Sequence, residues 1–255
     1  MVYLMVEQQF AKYPWCQRTI RGIFEEVRKR RIHVQEVSEL PGGAEERSCV
    51  LLVGASEEWI NQTARGAGSL GLHPIVLSNR ETNSSGLSVS SVKMDIHSSM
   101  ELAVDYLRTL DRERLALFGV NPSASSDLWR ARRFGELTGR EGDVFFLGSS
   151  VNEIFDQFYE KIHRYDGVIC ASDYAAVSLV GRLREKNYAI PEKLYVVGYG
   201  DMFLSRLFRP SITSISDDYE SFGKAALAIC AMMEKNDAFS VVSVKLKSRL
   251  HIRET

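Results

Sequence analysis

The residues best placed to do chemistry are polar groups at the ends of apolar runs. Ser172 and Asp173 follow VICA, and Gly200 and Asp201 follow VVGY, so one stretch, 166–201, carries both sets. In sheets of this kind, strand ends face a ligand crevice. Three arginines, Arg130, Arg132 and Arg133, sit together in DLWRARRF. A planar guanidinium donates two parallel hydrogen bonds to vicinal hydroxyls or a carboxylate and keeps its charge when partly buried. Tyr13 and Trp15 precede a helical stretch, with Gln8 and Gln9 just upstream. An aromatic face there either covers the apolar face of a sugar or purine or staples the helix to the core. No paired CxxC, HExxH, GxSxG or Walker pattern occurs, and His33, His73, His97, His163 and His251 are scattered without ligand spacing. No catalytic residue, metal site or cofactor is therefore expected.

The elements that must position these groups alternate in type. Within 166–201, Val168, Ile169 and Cys170 form a short apolar run. Ala176, Val177, Val180 and Leu183 then fall at helical spacing, and Leu194 to Gly198 is a second apolar run. This is a strand, helix, strand crossover. The same rhythm starts with a strand at 2–6 and an amphipathic helix at 15–31, whose RKRR end suits a helix C-terminus. Strands are expected at 33–37, 49–53, 74–77, 89–94, 115–119, 143–147, 211–216, 241–246 and 249–252. Helices are expected near 57–70, 99–110, 127–137, 152–163 and 219–234. The Ser- and Asn-rich stretch 79–91 reads as a surface loop. Such alternation implies parallel sheets with helices on both faces.

The chain has 255 residues, 45% of them apolar and 25% charged, with a net charge of −1. That is enough for two moderate cores, and it lacks the basic character of a stand-alone nucleic-acid binder. Cys16, Cys49, Cys170 and Cys230 are widely spaced and read as reduced core residues, which points to a cytoplasmic location. No run approaches the ~18 apolar residues of a membrane span, so no membrane partner is expected.

In order, VICASDYAA, IPEKLYVVGYGD, RPSITSISDDYESFGKAA and LHIRET resemble the effector-binding module of the lactose and galactose repressor (LacI/GalR) family. MDIHSSMELAVDYLRTL and the spacing of Pro14, Arg21, Gly22 and Ile23 extend the resemblance over nearly the whole chain. It implies an α/β fold of the periplasmic-binding-protein-like type I: two Rossmann-like lobes with parallel sheets, joined by three crossings, with a small molecule in the interlobe cleft. Matching motifs place the crossings near Leu110, Asp217 and Lys245, giving lobes of 1–110 plus 218–245 and 111–217 plus 246–255. It implies ligand contacts from Gln9, Tyr13, Trp15, Arg130, Ser172, Asp173 and Asp217; Ser172 and Asp173 are both candidate caps of the helix that follows, with Asp173 the favoured one. Two positions depart from the family. Ser172 stands where relatives carry Asn, and Gly200 where they carry the first of two aspartates, so Asp217 is expected to supply that carboxylate. The resemblance further implies a homodimer, a sugar-like effector, and operator DNA reached through an N-terminal helix-turn-helix that this sequence does not include. A solute-binding protein for sugar uptake is the alternative on the same fold.

Overall fold

A computed structural model describes residues 1–45, 47–79, 89–139, 143–148, 151–235 and 241–255. Most of the loop expected at 79–91 therefore lies outside the described residues. The chain divides into two compact units, residues 1–94 with 218–246 and residues 95–217 with 247–255.

The first unit holds strands β1 (Val2–Val6), β2 (Val34–Glu36), β3 (Cys49–Val53), β4 (His73–Ser78), β5 (Ser90–Met94) and β11 (Ser243–Leu246). Its helices are α1 (Pro14–Arg30), α2 (Glu57–Ser69) and α8 (Ser221–Lys235). All its strand pairs are parallel, in the order β11-β5-β4-β3-β1-β2. Every residue of β3 is buried, as a strand covered on both faces must be. Tyr3, Val50, Leu52 and Val76 point to the α2 side, where they pack with Ile60, Ala64 and Ala67.

The second unit holds β6 (Leu115–Val120), β7 (Val144–Phe146), β8 (Gly167–Cys170), β9 (Tyr195–Tyr199), β10 (Thr213–Ser216) and β12 (Arg249–His251). Its helices are α3 (Ile96–Thr109), α4 (Ser125–Thr138), α5 (Val151–Glu160), α6 (Asp173–Glu185) and α7 (Phe203–Leu207). Period-two alternation splits its strands between two cores. Ala116, Phe118, Val168 and Cys170 face one core with Leu179, Val180 and Leu183 of α6. Leu115, Leu117, Ile169 and Val197 face the other with Val104 and Leu107 of α3.

Three features differ from the sequence reading. Helix α3 packs in the second unit and not with residues 1–94, because its stripe of Met100, Ala103, Val104 and Leu107 covers β6. The stretch before Pro210, read as loop, contains the short helix α7. Strand β12 runs antiparallel to β10, pairing Ser214 with His251, so this sheet is mixed at its edge. The closing RET is a staple: Thr255 Oγ1 donates to Val196 O at 2.7 Å and accepts from Thr213 N at 2.9 Å, and Arg253 pairs with Asp201.

Helices α1 and α8 meet at glycines. A Cβ on Gly22 would lie 2.0 Å from the Glu220 carbonyl oxygen, and one on Gly223 would lie 2.4 Å from the backbone of Gly22. Just beside this contact, Arg18 donates to both Glu220 carboxylate oxygens, at 2.8 and 2.7 Å. Gly22→Ala is expected to push the helices apart at a cost of about 3 kcal/mol, the upper end for overpacking against backbone. An unchanged urea midpoint followed by circular dichroism would contradict this.

Candidate functional site

In each sheet the chain reverses its direction of travel at one place, between β1 and β3 in the first and between β6 and β8 in the second. The crevice outside the carboxyl ends of strands at such a point is where open α/β sheets take ligands. In the first unit the polar residues gather there, and in the second they stand at the carboxyl ends of β8, β9 and β10.

In the first unit, Glu7 follows β1 directly and is buried. Its Oε2 accepts from Ala55 N at 2.8 Å and Ser56 N at 3.0 Å, and its Oε1 accepts from the Ser56 hydroxyl and the Gln9 amide. Ser56 is the N-cap of α2, so Glu7 places a carboxylate at that helix N-terminus, where the dipole favours negative charge. Burial works against the charged form, yet the bonds from Ser56, Gln9 and Ala55 outweigh it and hold the carboxyl below its ordinary value. Glu7, Gln9, Ser56, Glu58, Trp59 and Gln62 line a cavity of about 430 Å³. Gln9, expected as a ligand contact, is thus at a cavity wall and also bonded to Glu7 and Ser56. Trp15 is buried against Phe10 and Tyr219, so its ring serves the core of this unit. Tyr13 packs edgewise on Phe10 and stays 52% exposed.

In the second unit Arg130 is drawn inward while its neighbours are not. Its side chain is 11% exposed, whereas Arg132 is 70% exposed and pairs with Glu136. Arg133 pairs with Glu136 and Glu101. Arg130 Nη1 donates to Asp127 Oδ1 at 2.6 Å, and the guanidinium lies 3.8 Å from the centre of the Tyr199 ring. Among the described residues its Nε has no hydrogen-bond partner. Burial opposes its charge, but Tyr199, Asp217 and Asp127 outweigh that and raise its pKa further. Asp217, at the end of β10, accepts from the Tyr199 hydroxyl and the Ser248 hydroxyl, both at 2.7 Å. Burial first, then Asp217, push the Tyr199 phenol up to about 12 against the pull of Arg130, so it remains a donor. Arg130 and Asp217 are therefore brought into one buried group around Tyr199.

Of the two candidate caps after β8, Ser172 takes the role and Asp173, the one favoured for it, does not. Ser172 is the N-cap of α6, accepting from Ala175 N at 3.2 Å, and Asp173 is the first helical residue. Asp173 is fully buried and accepts from the Ser214 hydroxyl and Met202 N, both at 2.6 Å, so it ties the β9 and β10 ends to α6. The reason is local: a cap needs extended backbone, which Ser172 has at φ −152°. Gly200 has φ +123°, a conformation that strains any side chain, and its missing carboxylate has no replacement at that position. Asp201 pairs with Arg206 and Arg253, which hold it below the usual carboxylate range despite burial.

Sequence reasoning missed Glu7, Ser56, Asp127, Tyr199 and Ser248. The strand-end rule that singled out Ser172 applies equally to Glu7 and Tyr199. Ser248 carries no local signal. One Ser, His and Asp grouping does form, but Ser216 and Asp201 both meet Nε2 of His251, at 2.8 and 3.6 Å, so no proton relay through the ring exists.

Two α/β units, each with polar groups at the carboxyl ends of a mostly parallel sheet, define a fold of the periplasmic-binding-protein type. The chain belongs to the periplasmic binding protein-like domain family, whose model matches residues 104–255, in the form of the effector-binding domain of LacI/GalR-type regulators. The HTH-type transcriptional regulator RegA of Clostridium saccharobutylicum is 28% identical over 118 residues, 46% of this chain and 32% of that protein. The HTH-type transcriptional repressor PurR of Vibrio atlanticus is 36% identical over 74 residues, 29% of this chain and 22% of that one. These matches span about a third or less of the relatives' own length. A LacI family regulator from Enterococcus faecalis, solved with bound ribose, superposes with a TM-score of 0.68 at 19% identity, covering all of this chain and 98% of the other.

Glu7→Gln keeps the shape and removes the charge. A depressed folded pKa contributes stability above the unfolded value of about 4.3, and this is lost as pH falls through the folded value. At neutral pH the substitution is expected to cost about 2 kcal/mol, with the gap closing in acid. Denaturant unfolding of both proteins across that range checks it, and a gap that ignores pH would refute the assignment.

Proposed function

We propose that this chain is the ligand-sensing and dimerising module of a bacterial transcription regulator of the LacI type, whose effector is a sugar or sugar derivative. The observation that carries the reading is Arg130: a buried guanidinium that pairs with Asp127, stacks on Tyr199 and joins the buried Asp217 carboxylate at the end of β10 in one polar group. The relatives that match are named as transcription regulators, and one structural neighbour carries ribose. In this reading Arg130, Asp217 and Ser172 contact the ligand in the second unit, and Asp173 holds the β9 and β10 ends to α6.

The effector acts by differential affinity. A ligand that binds one conformation of the module better than another shifts the population toward it, and operator binding by a DNA-binding head elsewhere in the regulator follows. The module works in the cytoplasm as a homodimer without enzymatic activity. Phe203 and Leu207 of α7, both largely exposed, supply apolar surface for self-association.

A thermal-shift screen of sugars, sugar phosphates and purines tests the reading, since a ligand at 100 times its Kd adds about 2.7 kcal/mol of stability. At least one sugar is expected to raise Tm, and Arg130→Lys to weaken its binding by roughly tenfold or more, because the fork geometry is lost. A flat response across the panel would end the proposal. Sedimentation of the wild type is expected to give twice the chain mass, with Phe203→Asp shifting it toward monomer; a monomeric wild type would remove the dimer.

A further inference from the structure

The four cysteines do not share one environment. Cys16 and Cys170 are sealed in the interior, and burial pushes the Cys16 thiol up to about 11 and the Cys170 thiol up as well. Neither ionises readily at neutral pH, so neither is a nucleophile. Cys49 and Cys230 are distant in the chain, yet their sulfurs are hydrogen-bonded to each other.

The first unit brings them together. Cys49 opens β3, and since Val50 and Leu52 point to the α2 side, period-two alternation turns Cys49 to the opposite face of the sheet. Helix α8 lies there: it packs on β4, β5 and β11, and Phe222, Ala226, Ile229, Cys230 and Met233 form its buried stripe at helical spacing. Met233 Sδ accepts from Ser90 Oγ at 3.7 Å, which sets the last turns of α8 beside the amino ends of the strands, where β3 also starts. Both cysteines keep a little surface, 5% for Cys49 and 7% for Cys230. Among the described residues no third Cys, His, Asp or Glu completes a metal-holding group with them, so the pair is left with the chemistry of a dithiol. The hydrogen bond also sets an order. The Cys230 S–H favours the charged form of Cys49 and lowers its pKa, whereas Cys230 is raised by the same bond and by burial. Cys49 is therefore the sulfur that attacks, and Cys230 the one that resolves.

We propose that Cys49 and Cys230 are a redox-sensitive dithiol, oxidised by small hydroperoxides to an intramolecular disulfide that fastens α8 to β3. The Cys49 thiolate attacks one peroxide oxygen. An S–O bond forms, the O–O bond breaks, and the other oxygen leaves as water or alcohol with the proton released from the Cys49 thiol. The Cys230 sulfur then attacks the Cys49 sulfenic acid: the S–S bond forms, the S–O bond breaks, and hydroxide leaves with the Cys230 proton as water. The two thiols lose two electrons, which the peroxide gains. A small dithiol reverses the change by exchange. Helix α8 already meets α1 backbone to backbone at Gly223 and Gly22, so the new bond fixes it at a second place.

The test uses the whole chain. Folded wild type is treated with hydrogen peroxide, quenched with catalase, denatured, alkylated and digested without reductant. One linked pair of peptides, holding Cys49 and Cys230, is expected, with free thiols in denaturant falling from four to two. Dithiothreitol added before alkylation is expected to restore all four. The oxidised protein is expected to melt above the reduced one by roughly 5 °C or more. Cys230→Ser is expected to stop at a sulfenic acid on Cys49, trapped by dimedone, and Cys49→Ser to react roughly tenfold more slowly. Four free thiols after peroxide treatment of the folded wild type, a link that forms only in denaturant, or equal oxidation of Cys16 and Cys170 would overturn the proposal. These readings come from the wild type, so they decide the matter even where a serine variant fails to fold. A linked protein that melts no higher would overturn the fastening of α8.

Discussion

The constraint on which the rest depends is the double-sided burial of two parallel sheets. Helices cover both faces of β3, β6 and β8, so their side chains are apolar almost without exception. In these three strands polar groups are left to the ends and the turns that follow. Glu7, Ser56, Ser172, Tyr199 and Asp217 all stand at strand ends or in such turns. A ligand site in this molecule is a consequence of where the backbone permits polarity.

Within that constraint, the two units hold their charges differently. In the first, a carboxylate is fixed by three donors from Ala55 and Ser56, between a neighbouring strand end and a helix N-terminus, and by a fourth from Gln9 in its own turn. In the second, a guanidinium is fixed by a ring, a carboxylate at 2.6 Å and a second carboxylate held by Tyr199 and Ser248. Each arrangement spends most of its hydrogen-bonding capacity on the protein itself. That is what pre-organisation requires: the groups are held in place before a ligand arrives, and few bonds are left for it to claim.

The motifs that make the chain resemble the LacI/GalR family turn out to be largely structural. Asp173 joins a helix to two strand ends, Asp201 joins the β9 turn to the closing RET through Arg253, and Thr255 caps the sheet at Val196 and Thr213. In this chain these residues serve the fold, whatever the ligand. The positions where ligand chemistry could be read, Ser172 and Gly200, have departed from the family pattern, and Gly200 occupies backbone that only glycine adopts without strain.

The order of strands and helices and the location of polar groups at strand ends were legible in the sequence, because hydrophobic period and turn chemistry are local, while the two-sheet architecture came with the family resemblance. Arg130 was legible as a candidate, but its choice over Arg132 and Arg133 needed the resemblance. Only the tertiary structure decided that α3 belongs with the second unit, that β12 runs antiparallel, that Ser172 caps while Asp173 is buried, and that Glu7 answers a helix beginning 50 residues later. Each of these depends on which residues distant in the chain come to share a surface, and no local pattern encodes a partner that far away.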